Sequence, residues 1–123
     1  MISTKTIETA MYEALCRAAT QIPPDVKEHL QNAYAEESDP LARKHMELTL
    51  ENAHLAAEGK GLVCGDTGYP LFFIRAGNAA QIEGGFGSLW QAARVATVAA
   101  TDKNFLRPTM VDPLTRKNPG NNV

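Results

Sequence analysis

The chain has 123 residues, 44% of them apolar and 21% charged, with a formal net charge of −2. That suffices for one modest core, a single domain over residues 1–123, and the absence of any Lys/Arg cluster excludes an electrostatic nucleic-acid surface. No apolar run reaches the ~18 residues that mark a transmembrane helix, and the amphipathic start lacks the build of a secretion signal, so a cytoplasmic protein is expected.

Residues 3–21 carry Ile7, Met11, Leu15 and Ala18 at helical spacing, with Ser3 or Thr4 as the cap and Pro23-Pro24 as the stop. Cys16 falls inside this pattern and reads as a small packed residue. Only one other cysteine, Cys64, is present, too few for a disulfide framework. A second helix opens at Pro24 or Asp25, with Val26, Leu30 and Ala33 or Tyr34 as its stripe, and breaks at residues 36–38. A third starts at Asp39 with Pro40 in its first turn and ends near Glu58, where Gly59 suits a left-handed cap. Leu41, His45, Leu48, Asn52 and Leu55 share one of its faces. His45 reads as a partly buried, satisfied side chain, while His29 and His54 read as surface residues. Asn52 is either a satisfied core amide or a brace for the loop that follows.

That loop, residues 61–70, concentrates the chemistry of the chain. Cys64, Asp66 and Thr67 bring a thiol, a carboxylate and a hydroxyl together, flanked by Gly65 and Gly68, which let the backbone turn and a ligand approach. The apolar run of Leu71, Phe72, Phe73 and Ile74 predicts a short, largely buried strand over 71–75. Read from the residues alone, Cys64 is a ligand, a nucleophile or a buried structural thiol. No histidine lies near it in sequence, which disfavours an activated-thiol mechanism.

Gln81-Ile82-Glu83 predicts a second short strand. Gly84-Gly85 lacks the Gly-Lys-Ser/Thr of a phosphate loop and reads as a tight turn. A fourth helix is expected over 88–101, packing through Leu89, Ala92 or Ala93, Ala96, and Val98 or Ala99. Residues 104–123 hold four prolines or glycines and few large apolar residues, so an extended or loop-like tail is expected. Within it Arg107 reads, on its own, as a surface ion-pair residue, as does Arg75 earlier. The expected fold class is α+β: about four main helices with a small sheet.

Cys64-Gly65-Asp66-Thr67-Gly68, entered from a helix and followed by an apolar run, resembles the alpha region of class I, iron–sulfur fumarate hydratases and the related L(+)-tartrate dehydratases. A second stretch resembles the same region: Leu106-Arg107-Pro108, then Val111 to Thr115, then residues 118–123. Two separated matches in the right order are more specific than either alone. The resemblance is strong from residue 52 to 123 and weak over the first helices.

The resemblance implies a hydro-lyase that adds or removes water on a small 2-hydroxy dicarboxylate. It implies a [4Fe–4S] cluster held by three cysteines, with one open iron acting as a Lewis acid. Cys64 matches the first cluster cysteine. Asp66 matches a residue that contacts substrate and transfers a proton, and Thr67 a neighbour that donates to a substrate oxygen or holds the turn. Arg107 matches the arginine that clamps a substrate carboxylate, a task suited to its planar pair of donors. Gly65 occupies a substrate-contacting position where many family members carry glutamine, so fumarate itself does not follow. The other two cluster cysteines and the beta region are expected beyond Val123, and Cys16 is in the wrong region to replace either cysteine. The chain therefore resembles the N-terminal part of an alpha region, without activity or a cluster by itself. Its expected partners are the rest of that region, a beta region or subunit, and further copies in a homo-oligomer. A non-catalytic association domain that keeps the fold is the second reading.

Overall fold

The computed structural model describes residues 1–65 and 69–123. Among them are four helices: α1 (Thr4–Thr20), α2 (Pro24–Glu36), α3 (Pro40–Ala57) and α4 (Ser88–Asp102). No described helix is long and apolar enough to cross a membrane. The chain divides into two compact units, one of residues 1–16 and 67–123, the other of residues 17–66.

In the first unit, Ser3 caps α1 by accepting the Thr6 N–H at 3.1 Å. Ile7, Met11 and Leu15 then recur every fourth residue, which puts them on one helical face. Met11 and Leu15 form a buried cluster with Ala92, Ala96 and Ala100 of α4, and Ile7, Phe72, Leu89, Phe105 and Leu106 pack around it. The three alanines keep that face of α4 flat. Thr97 and Thr101 are buried beside them, and each returns its hydroxyl to the carbonyl four residues back, at 2.8 and 2.9 Å. Tyr12 meets Phe105 edge-on, with ring centroids 6.3 Å apart. Cys16 is half-buried and shares a hydrogen bond with Tyr12 one turn earlier, which, with burial, holds the phenol above its ordinary pKa.

The second unit pairs α2 with α3, each started by local signals. Pro24 opens α2, and Asp39 caps α3 by accepting the Ala42 N–H at 2.8 Å, with Pro40 in the first turn. The Arg43 guanidinium lies 4.3 Å from the Tyr34 ring centroid, across the connection between the two helices. The helix α3 buries Ala53 and Ala56. The face carrying Leu41, Leu48 and Leu55 is instead exposed, and His45 on it is exposed rather than partly buried. Both faces of α3 have apolar spacing; the one with alanines permits the closer approach and is the one buried.

The α+β expectation fails. Among the described residues no strand is formed, and the only pairing is one isolated parallel bridge between Ile2 and Ile82. Ile2 donates to the Gln81 carbonyl at 2.7 Å and accepts from Glu83 at 3.0 Å. The bridge goes no further because Ile2 is followed at once by α1, and Gly84 and Gly85, at φ 74° and 72°, turn the chain into α4. Residues 71–75 are not helical, but no described backbone pairs with them. Phe72 alone of that run reaches the core; Leu71, Phe73 and Ile74 are exposed, Phe73 at 91%. A local apolar run resembles a buried strand, but a strand also needs a paired edge, and none is supplied here.

Candidate functional site

The Cys64 loop is fixed from three directions within the second unit. The helix α3 ends in a left-handed cap, with Gly59 at φ 75°. Gly59 donates to Ala56 at 3.0 Å and Lys60 to Leu55 at 2.9 Å, the paired bonds of a Schellman ending. Next, the Val63 N–H donates at 2.9 Å to the carbonyl of Ala19, in the last turn of α1, where helix carbonyls lack helical partners. Finally, the Asn52 side chain spans the loop. Its Nδ2 donates to the Leu62 carbonyl at 3.0 Å, and its Oδ1 accepts the Cys64 N–H at 2.7 Å. Both halves of the amide are used, which decides the reading of Asn52 in favour of the brace.

Cys64 and Gly65 are therefore outside any helix and exposed, on a backbone tied to α1 and α3. Asp66 and Thr67 lie outside the described residues. Among the described residues nothing within 4 Å would meet a Cβ added at Gly65, so the position is open on that side.

In the first unit, Arg107 follows α4 and is exposed, and no described residue engages its guanidinium. Tyr69 lines an open cavity of about 460 Å³ with Met110, Val111, Asp112, Pro113 and Lys117 of the tail. Within the tail, Asp112 accepts the N–H groups of Leu114 at 3.0 Å and Thr115 at 2.6 Å. The Thr115 backbone bond, aided by the Thr115 hydroxyl and the Leu114 N–H, holds the Asp112 carboxyl below its ordinary pKa.

Asparagines 118 and 122, which sequence reasoning passed over, tie the tail together. Their signal was present: amides scattered through a proline- and glycine-rich segment can bond backbone that no helix or sheet satisfies.

No group of three or more His, Cys, Asp and Glu among the described residues is placed to hold a metal ion. The donor set offers a single loop thiol, Cys64, where a cluster held by three cysteines needs three. The described residues by themselves do not fit such a group.

The chain matches the family described as fumarate hydratase (Fumerase) over residues 8–123. It is 32% identical over 120 residues to a protein of Methanocaldococcus jannaschii that carries the provisional name L(+)-tartrate dehydratase subunit alpha; the match takes in 95% of this chain and 41% of that one. It is 30% identical over 118 residues to a Geobacillus stearothermophilus protein provisionally named fumarate hydratase class I, covering 93% of this chain and 22% of that one. The chain belongs to the fumarate hydratase family. It spans about two fifths of the first relative's length and about a fifth of the second's.

Proposed function

We propose that this chain is the N-terminal part of the alpha region of a hydro-lyase that adds or removes water on a small 2-hydroxy dicarboxylate of the malate or tartrate type. The observation that carries the proposal is the Asn52 brace. It fixes the backbone on which Cys64 stands and leaves the thiol exposed, within the stretch that resembles the family's first cluster cysteine. Preorganised backbone of this kind is what a reactive or ligating group needs.

In this reading Cys64 is one ligand of a [4Fe–4S] cluster whose remaining ligands belong to the rest of the alpha region. Such a cluster, when bound, supplies a Lewis acid. Asp66 contacts the substrate and moves a proton, Thr67 donates to a substrate oxygen, and Gly65 leaves room beside them. Arg107 clamps a carboxylate; its exposed guanidinium, free of described partners, is available for that task. The rest of the alpha region, a beta region or subunit and further copies of the protein complete the assembly. By itself the chain neither holds a cluster nor turns over substrate.

The test is an anaerobic assay of the full-length protein with L-malate, fumarate and L(+)-tartrate. Turnover of at least one, lost in Cys64→Ala, is the expected result. A folded full-length protein that turns over none of the three overturns the reading.

A further inference from the structure

Arg107 begins a segment that neither a helix nor a sheet supports, yet its backbone is bonded almost continuously. Over residues 107–110 Asn122 does most of this. Its Nδ2 donates to the Arg107 carbonyl at 2.8 Å and to Thr101 Oγ1 at 3.1 Å. Its Oδ1 accepts the N–H groups of Thr109 at 3.0 Å and Met110 at 3.2 Å. The donor and acceptor capacity of the amide is thereby filled. Asn118 adds a bond from its Nδ2 to the Pro108 carbonyl. Thr101 belongs to the buried face of α4, so the contact links the Arg107 segment to the core.

Asn122 also sits at φ 62°, a left-handed conformation that asparagine tolerates better than most residues. A four-bond amide at a left-handed position constrains the tail closely. What it leaves free is the Arg107 side chain itself, which is exposed and bonded to no described residue.

We infer that Asn122 is a positioning residue that sets the location of the Arg107 guanidinium for a carboxylate ligand. The inference rests on the reading of Arg107 as a carboxylate clamp. Aspartate would keep the two accepted bonds but lose both donated ones, and place a carboxylate against the Arg107 carbonyl. Glycine would remove all four without strain at φ 62°.

The test is a double-mutant cycle in the full-length protein, reading the affinity for L-malate and L(+)-tartrate by calorimetry. Asn122→Gly is expected to weaken binding about tenfold when Arg107 is present and less than twofold in an Arg107→Ala background. Asn122→Asp, which retains the acceptor, is expected to fall between wild type and Asn122→Gly. Hydrogen exchange at the Thr109 and Met110 amides is expected to speed up in Asn122→Gly and much less in Asn122→Asp. If the Asn122 and Arg107 effects simply add, Asn122 acts elsewhere and the inference falls while the clamp reading stands. If Arg107→Ala leaves affinity unchanged, or neither dicarboxylate binds the wild type, the clamp reading fails and takes the inference with it. Should Asn122→Gly not fold, Asn122→Asp with wild-type affinity in a folded protein overturns the inference.

Discussion

Asn52 holds Cys64 from two turns back along α3, accepting its backbone N–H at 2.7 Å while donating to Leu62 on the near side. One amide therefore bridges the loop before the cysteine and at it. Asn52→Ala would leave a carbonyl and an N–H without their partner. The expected loss is about 1–2 kcal/mol of stability. It should be concentrated locally, with exchange of the Cys64 amide accelerated by roughly tenfold or more. An unchanged Cys64 exchange rate would show that Val63 and the Schellman ending hold the loop without Asn52.

The alanine face of α4 makes a packing prediction. Ala96 is 1% exposed and lies in the cluster with Met11 and Leu15. Ala96→Leu adds three carbons at a buried contact with α1, and an overpacking cost of about 1–3 kcal/mol is expected in urea unfolding. Val95, one position away and 37% exposed, is the control: Val95→Leu should change stability by less than ~0.5 kcal/mol.

Adjacent phenylalanines should behave differently. Phe72 packs against the core, whereas Phe73 is 91% exposed. Phe72→Ser is expected to cost about 1–3 kcal/mol through lost burial. Phe73→Ser should stay within ~0.5 kcal/mol of wild type. Equal effects from the two substitutions would mean that residues 71–74 are organised otherwise than described.

Asp112 sets the pH response of the tail. The N–H and hydroxyl of Thr115 favour its charged form, so its folded pKa lies below the ordinary value near 3.8. Its contribution is thus fully present above that value and is lost as pH falls through the lower, folded pKa. The Leu114 and Thr115 amide signals should titrate with a midpoint below 3.8. Asp112→Asn, which keeps an acceptor oxygen without the ionisation, should abolish that titration. A midpoint at or above the ordinary value would contradict the turn geometry.

Helix boundaries were legible because they rest on local chemistry: Ser3, Pro24, Asp39, Pro40 and Gly59 each act within one turn of their own position. The buried face of α3 was not, since two faces have apolar spacing and only packing selects between Leu41-Leu48-Leu55 and the alanine side. The strand over 71–75 was misread for a related reason: pairing depends on a distant edge, and an apolar run carries no information about whether one exists. Asn52 was visible as an amide in need of a partner because it interrupts an apolar face, but only its bonds to Leu62 and Cys64 choose the brace over a core amide. Asn122 carried only the diffuse signal of an amide in a proline- and glycine-rich tail, where one that makes four bonds looks like one that makes none.

Arg107→Lys separates a clamp from a surface charge. Both side chains carry one positive charge, so a residue that only adds to the local field should tolerate the exchange. A carboxylate clamp should not, because an ammonium cannot reproduce the planar two-donor fork. In the full-length protein the substitution is expected to lower dicarboxylate affinity roughly ten- to a hundredfold, equivalent to about 1.5–3 kcal/mol for a charge-assisted bond. On the role proposed for Asp66, Asp66→Asn should act the other way round, since it would remove a proton-handling group but nearly preserve shape: turnover should fall more than affinity. Steady-state constants for both variants with L-malate or L(+)-tartrate give the comparison directly. If Arg107→Lys leaves both constants unchanged, the guanidinium does not touch substrate. If Asp66→Asn instead raises KM and spares kcat, Asp66 binds rather than transfers a proton.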